Sequence, residues 1–199
     1  MRLCGVERIL TNPRGELTVA RGCRFCEDGE EGTSRIMNHA VEIKKIFVSP
    51  GHRFVGRHGK TPQDYPMEER DSIECVAGKG IIGDRYFDHK ENYKGQLTFF
   101  SEDVFLDLRE KFPDVERDPS VFRRNVLVSG VDLNNLIGRR FSLGDLEMEG
   151  VEEASPCYWM NQAYCEGAEE ALRGRGGLRV RFLTDGAMQV GSASLTVDS

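Results

Sequence analysis

Cys157 stands in the run ASPCYWMNQA (Ala154–Ala163), directly after a proline and directly before Tyr158, the only tryptophan (Trp159) and Met160. A thiol does chemistry as its thiolate. An apolar setting raises a thiol's pKa, and converging cations lower it. Two readings therefore stand side by side. Cys157 is a structural thiol, because free cysteine is among the most buried residue types, or it is a working thiolate on a turn at the end of a strand. The cations for the second reading come from other segments. VFRRNVLV carries Arg123 and Arg124, one inward and one outward if the run is a strand. LRVRF carries Arg179 and Arg181, two apart and on one face. GIIGDRYF carries Arg85 behind a glycine-rich turn, with Asp84 beside it. In a closed barrel inward arginines converge, and each needs an anionic partner: Asp84, a thiolate or a bound phosphate. Taken singly, each arginine is better read as part of a solvated strand face.

The loop SPGHRFVGRHGK carries His52 and His58 together with Arg53, Arg57 and Lys60. A glycine-bearing loop of this kind can wrap an oxyanion with backbone N–H groups and cations. Its histidines could relay a proton or act as ligands, but their spacing matches no zinc motif. His39 and His89 have no partner in the sequence and read as solvent-exposed. GKGIIGDRYF holds three glycines in six residues, yet it is neither G-x-G-x-x-G nor a Walker loop. It reads as a tight turn that aims Asp84 and Arg85 into a pocket. Cys23-x-x-Cys26 is a lone pair without the second pair that a zinc ribbon needs.

The elements that must position these residues are mostly strands. The expected strands are VEIKKIFV (Val41–Val48), SIECVAG, GQLTFF, VFRRNVLV, RFSLGD and LEMEGVEE. LRVRFLTDGAMQVG reads as a strand, an Asp-Gly turn and a second strand. Ser101 reads as the N-cap of a helix whose apolar stripe is Val104, Phe105, Leu108 and Phe112, ended by Pro113. NQAYCEGAEEALRG reads as a helix interrupted at Gly167. The fold class is mainly β, a barrel or sandwich with a few peripheral helices. Residues 1–40 read as an N-terminal extension or accessory hairpin with an acidic, Gly-rich loop, and residues 41–199 as the main domain. Met37 is an alternative start.

The 199 residues carry a net charge of −6. That argues against a general nucleic-acid binder but leaves room for a local basic pocket. No apolar run approaches the roughly 20 residues of a membrane span, and MRLCGVERIL is not a signal peptide. A cytoplasmic protein is expected, with its six cysteines (Cys4, Cys23, Cys26, Cys75, Cys157 and Cys165) as thiols.

Read in order, GIIGDRYF, GQLTFF, RRNVLVSGVDLNNLIGRRFSLGD, PCYWMNQA and GRGGLRVRFLTDGAMQVG resemble the MOSC domain, named after the C-terminal part of molybdenum cofactor sulfurase. The chain resembles the small stand-alone bacterial type, over residues 41–194. The resemblance implies a MOSC-type β-barrel. It implies that Cys157 carries sulfur as a persulfide or ligates molybdenum. Arg85, Arg124 and Asn125, with Gln96 nearby, match the basic pocket motifs, and Arg179, His52 and His58 are expected around the same mouth. The implied cofactor is molybdopterin: arginines suit its phosphate and a thiolate suits its soft metal centre. Larger relatives carry a pyridoxal-phosphate lyase domain; this chain is too short for one, and no lysine stands in a Schiff-base context. Implied partners are a molybdoenzyme or a cysteine desulfurase, with no nucleic acid and no membrane. Sulfur transferase and molybdenum-dependent oxidoreductase are both compatible activities. So are a non-enzymatic carrier that hands on cofactor or sulfur, and an enzyme using Cys157 as a nucleophile on a small molecule.

Overall fold

The computed structural model describes residues 8–11, 17–20, 37–52 and 65–197. The chain divides into two compact units, Met1–Ile36 with Ser199, and Met37–Asp198. In the first, β1 (Arg8–Thr11) and β2 (Leu17–Ala20) pair antiparallel, Arg8 opposite Ala20 and Thr11 opposite Leu17.

The second unit opens with the long strand β3 (Met37–Val48), followed by β4 (Glu68–Arg70), β5 (Ser72–Val76), β6 (Gly80–Ile81) and β7 (Leu97–Ser101). Helix α1 (Glu102–Lys111) leads to β8 (Val126–Ser129), β9 (Arg140–Leu143) and β10 (Leu146–Glu153). Two short helices, α2 (Trp159–Ala163) and α3 (Ala168–Ala171), precede β11 (Leu178–Phe182), β12 (Gly186–Gln189) and β13 (Gly191–Val197). Seven strands close a barrel in the order β3-β8-β7-β11-β10-β9-β13, and β13 returns to β3. β7 and β8 run parallel because α1 lies in the crossover between them. Ser101 takes the extended N-cap conformation ahead of α1, without a side-chain capping bond, and Glu102 and Asp103 fill the first turn. β4 adds to the end of β3, and β12, β5 and β6 form a separate three-stranded sheet.

The barrel interior is apolar. Along β11, Leu178, Val180 and Phe182 are buried while Arg179 and Arg181 are only partly so. The expectation of inward arginines is therefore corrected: both point away from the core. A seven-strand barrel is filled by side chains, here Phe99, Phe141, Met148 and Val180 among others, and a guanidinium there would have no counter-ion. Outside, the arginines meet glutamates across the strand pair. Arg181 lies opposite Glu149 and Arg179 opposite Glu152. A second apolar cluster coats the outer face of β7 and β8, where Phe100 and Leu127 meet Phe105 and Leu108 of α1 and Trp159 and Met160 of α2.

Three local expectations change. VFRR is not strand: Pro119–Phe122 is a 3-10 turn and Arg123 sits at φ 56°, so the strand begins only at Val126. Neither Arg123 nor Arg124 therefore alternates across a sheet. The Asp185–Gly186 turn closes no hairpin, because β11 pairs with β10 and β7 whereas β12 pairs with β5. The Asp185 carboxylate accepts the Ala77 N–H at 2.8 Å, tying the small sheet to this turn. The helix expected over 161–174 splits into α2 and α3 around Gly167, at φ 88°.

Candidate functional site

Cys157 is exposed at the entrance to α2, where its carbonyl accepts the Met160 N–H at 2.8 Å. The Trp159 indole anchors that helix by donating to the Val121 carbonyl at 3.0 Å. The residues just before the cysteine are clamped by Arg124. Its Nε donates to the Gly176 carbonyl at 2.8 Å, and its Nη2 donates to the Ala154 carbonyl and, at 3.5 Å, to that of Ser155. Glycine is required for this closeness. A Cβ at Gly176 would lie 2.6 Å from the Ala154 oxygen, and one at Gly177 (φ 112°) 2.2 Å from the Phe99 oxygen. GRGG thus lets β11 begin directly beneath the cysteine turn.

The charged neighbours of the Arg124 guanidinium are Arg179, Cys157 and Arg85, with the Tyr86 hydroxyl also within electrostatic reach. Burial, with Arg179 next in effect, pulls the Arg124 pKa down to about 10, and Cys157 and Tyr86 act in the opposite sense. Of the residues singled out in the sequence, Cys157, Arg179 and Arg85 thus lie within electrostatic reach of Arg124, and Arg179 stands on the barrel's outer side. Arg179 Nε is buried and makes no hydrogen bond among the described residues; it lies 3.5 Å from the Glu152 carboxylate.

The other expected residues support walls. Asp84 and Arg85 form a buried ion pair at 3.2 Å, their side chains 1% and 7% exposed. Asp84 also accepts the N–H groups of Ser49 (3.2 Å) and Tyr86 (3.0 Å) and the Asn125 amide (3.3 Å). Arg85 donates to the Arg123 carbonyl at 3.2 Å and stacks its guanidinium on the Tyr86 ring at 4.9 Å. Asn125 spends its side chain inside: Oδ1 accepts Thr98 N–H and Oγ, and Nδ2 donates to Asp84 and the Phe47 carbonyl. No capacity is left for a ligand. Gln96 is buried, its Oε1 accepting the Phe182 N–H at 2.9 Å and its Nε2 without a partner among the described residues.

His52 packs edge-on against Tyr86, with ring centroids 4.9 Å apart. Burial, then Arg85 and Arg123, lower its pKa. His89 is exposed, as expected, and its ring also meets Tyr93 at 4.9 Å and Tyr86 at 5.7 Å in the irregular stretch between β6 and β7. His58 lies outside the described residues, as do Cys23 and Cys26. Arg123 donates to the carbonyls of Gly51 (2.8 Å) and Tyr65 (2.7 Å). Sequence reasoning missed Tyr86, Tyr93 and Glu152. Tyr86 directly follows Arg85 and could have been suspected; the other two carry no local signal. Cys75 is buried in the core, which pushes its thiol up to about 12. A separate cleft of about 460 Å³, lined by Ser101, Asp103, Asp132 and Asn135 among others, opens at the far end of β7 and β8 and contains none of the arginines around Cys157. Among the described residues no three His, Cys, Asp or Glu side chains gather as a metal site, and no helix is long and apolar enough to cross a membrane.

A closed, mainly β barrel with a cysteine turn on its flank matches a known class: residues 85–193 match the MOSC domain, and the chain belongs to that family. Among solved structures it is similar to the YuaD protein from Bacillus subtilis, with a TM-score of 0.64 at 17% identity over 83% of this chain and 99% of that one. It is also similar to YiiM from Escherichia coli (TM-score 0.54, 17% identity, 82% and 70% covered). YiiM from Geobacillus stearothermophilus gives a TM-score of 0.57 at 14% identity, with 80% and 75% covered. No curated protein matches the chain. The family match spans Arg85, Gln96, Arg124, Asn125, Cys157 and Arg179 and leaves out His52. Membership of the MOSC family supports a function related to molybdenum cofactor sulfurase.

Proposed function

We propose that the chain binds the molybdenum cofactor in a groove beside Cys157, with Arg124 and Arg179 toward its anionic end and Cys157 presenting a thiolate to its sulfur- and metal-bearing end. The observation that carries this reading is Arg124. Among the described residues its hydrogen bonds go only to neutral carbonyls, and burial, followed by the neighbouring Arg179, pulls its pKa down to about 10. An anion would relieve this imbalance, and would also give the buried Arg179 Nε an acceptor. The bound cofactor supplies a phosphate and a soft metal–dithiolene centre. Arg124 holds the cysteine turn in place, Arg85 fixes the wall with Asp84 and Asn125, and Gln96 is tied separately to the Phe182 N–H. His52, on the loop it shares with His58, borders the mouth. With no protein-built metal cluster among the described residues, Cys157 would be the chain's ligand to a metal that the cofactor brings.

The exposure of Cys157 favours a second role, that of sulfur carrier. The donor would be a persulfidic cysteine of a partner such as a cysteine desulfurase. The Cys157 thiolate attacks the outer sulfur, the donor's S–S bond breaks, and the donor leaves as a thiolate. Cys157 then bears the S–SH group with no net oxidation. In this reading residues 41–199 are the working domain, residues 1–40 an accessory extension, and the cytoplasm, where thiols persist, the setting.

The test is elemental analysis and gentle, non-reducing intact-protein mass spectrometry on the parent, Cys157→Ala and Arg124→Met, made in a host that synthesises the cofactor. Molybdenum or an added sulfur in the parent, lost in Cys157→Ala, is the expected result. If the parent carries neither and matches Cys157→Ala apart from the substitution, the proposal is wrong.

A further inference from the structure

We propose that Glu152 sets the charge of the Cys157 groove and so governs how strongly it holds an anion; this rests on the reading that the groove binds one. Glu152 stands on β10 in register opposite Arg179. Its Oε2 lies 2.7 Å from Lys94 Nζ, while its Oε1 lies 3.5 Å from Arg179 Nε. Lys94 therefore takes most of this carboxylate. The Arg179 contact is loose at 3.5 Å, and Arg179 Nε makes no hydrogen bond among the described residues. One repeat along the same strand pair, Glu149 meets Arg181 at 3.1 Å, a closer ion pair, although Arg181 Nε likewise has no hydrogen-bond partner among the described residues. Arg179 is placed by strand register, and its side chain stays 29% exposed.

The charges near the groove are then countable. Arg124, Arg179, Lys94 and Arg85 contribute four positive charges, against which stand Asp84, paired with Arg85, Glu153, which accepts the Gly176 N–H at 3.0 Å, and Glu152. Arg179 is the foremost charged neighbour of Arg124, and Cys157 follows. A charge change at Glu152 is thus transmitted to the groove through Arg179 without touching the cysteine turn. If Glu152 only held the strand pair together, its loss would loosen the site. If it sets the charge, its loss tightens anion binding.

Inorganic phosphate at pH 8 is the probe, read as protection of Cys157 from iodoacetamide by peptide-resolved mass spectrometry on the full chain. Glu152→Gln is expected to lower the phosphate concentration giving half-protection about fivefold at low ionic strength, the size expected for one unit charge about 10 Å from a dianion. Lys94→Gln is expected to raise it by a similar factor, and the double variant to return close to the parent. Glu149→Gln, on the same strand face, leaves it unchanged. The differences vanish near 1 M salt, where the screening length is about 3 Å. Protection that Glu152→Gln leaves unchanged or weakens overturns the role of Glu152 while the anion groove stands. So does a Lys94→Gln variant that binds as tightly as the parent, which tests the idea even if Glu152→Gln fails to fold. No protection by phosphate in the parent overturns the anion groove itself, and this inference with it.

Discussion

Replacing Asp84 with alanine removes one acceptor from four donors. Oδ2 takes the Ser49 N–H at 3.2 Å, Asn125 Nδ2 at 3.3 Å and Arg85 Nη1 at 3.2 Å, and Oδ1 takes the Tyr86 N–H at 3.0 Å. The Asp84 and Arg85 side chains are 1% and 7% exposed, so water does not step in. Removing one partner of a buried ion pair costs about 3–5 kcal/mol. For a domain of this size each kcal/mol shifts the unfolding midpoint by about 2–4 °C. About 4 kcal/mol therefore predicts a fall of about 8–16 °C. Asp84→Asn keeps the shape and loses the charge, and should fall between parent and alanine variant. Adding Arg85→Met to Asp84→Ala removes the stranded cation, so the double variant should lose less than the sum of the two single losses. Urea and thermal unfolding, followed by circular dichroism, measure all four. A loss below about 1 kcal/mol for Asp84→Ala, or strict additivity in the double variant, would refute the view that Asp84 neutralises Arg85.

Gly177→Ala places a Cβ 2.2 Å from the Phe99 carbonyl and forces alanine to φ 112°, so the β7–β11 pairing must yield. Strain of this kind costs about 1–3 kcal/mol before the clash is added, and a urea midpoint within error of the parent would count against it. His52 has a lowered pKa in the folded protein, so the unfolded chain binds the extra proton first. Stability attributable to this group is present above the ordinary histidine range and is lost as pH falls below about 6.5. His52→Gln should flatten the decline in urea midpoint between pH 7 and pH 5; an identical slope in the variant would show that His52 does not contribute.

Much of the barrel was legible in the sequence because strands announce themselves locally. The alternation in LRVRF, with Leu178, Val180 and Phe182 buried, reflects the period of two of a strand with one face against a core. The helix at Glu102–Lys111 was legible from its stripe and its acidic first turn. Turns and pairings were less so. An Asp-Gly between two strands signals a hairpin, yet β12 finds its partner in β5, more than 100 residues earlier, because Asp185 and the barrel end hold it there. The burst of arginines was visible as composition, but its direction was misjudged: the same alternation that buries Val180 turns Arg179 and Arg181 outward.

The residue types themselves foretold that a cysteine turn, a glycine pair and several arginines could form one site. Local order is enough to place a proline before Cys157 and two glycines before Leu178. Which arginine clamps, which is neutralised and which stays available was decided only when distant strands closed the barrel. That closure buried the adjacent Asp84–Arg85 pair against Ser49 and Asn125, and put Glu152 between Lys94 and Arg179 and Arg124 over three carbonyls. A charge's role depends on its burial and on the opposite charges within a few ångströms, and neither quantity exists until the chain has folded.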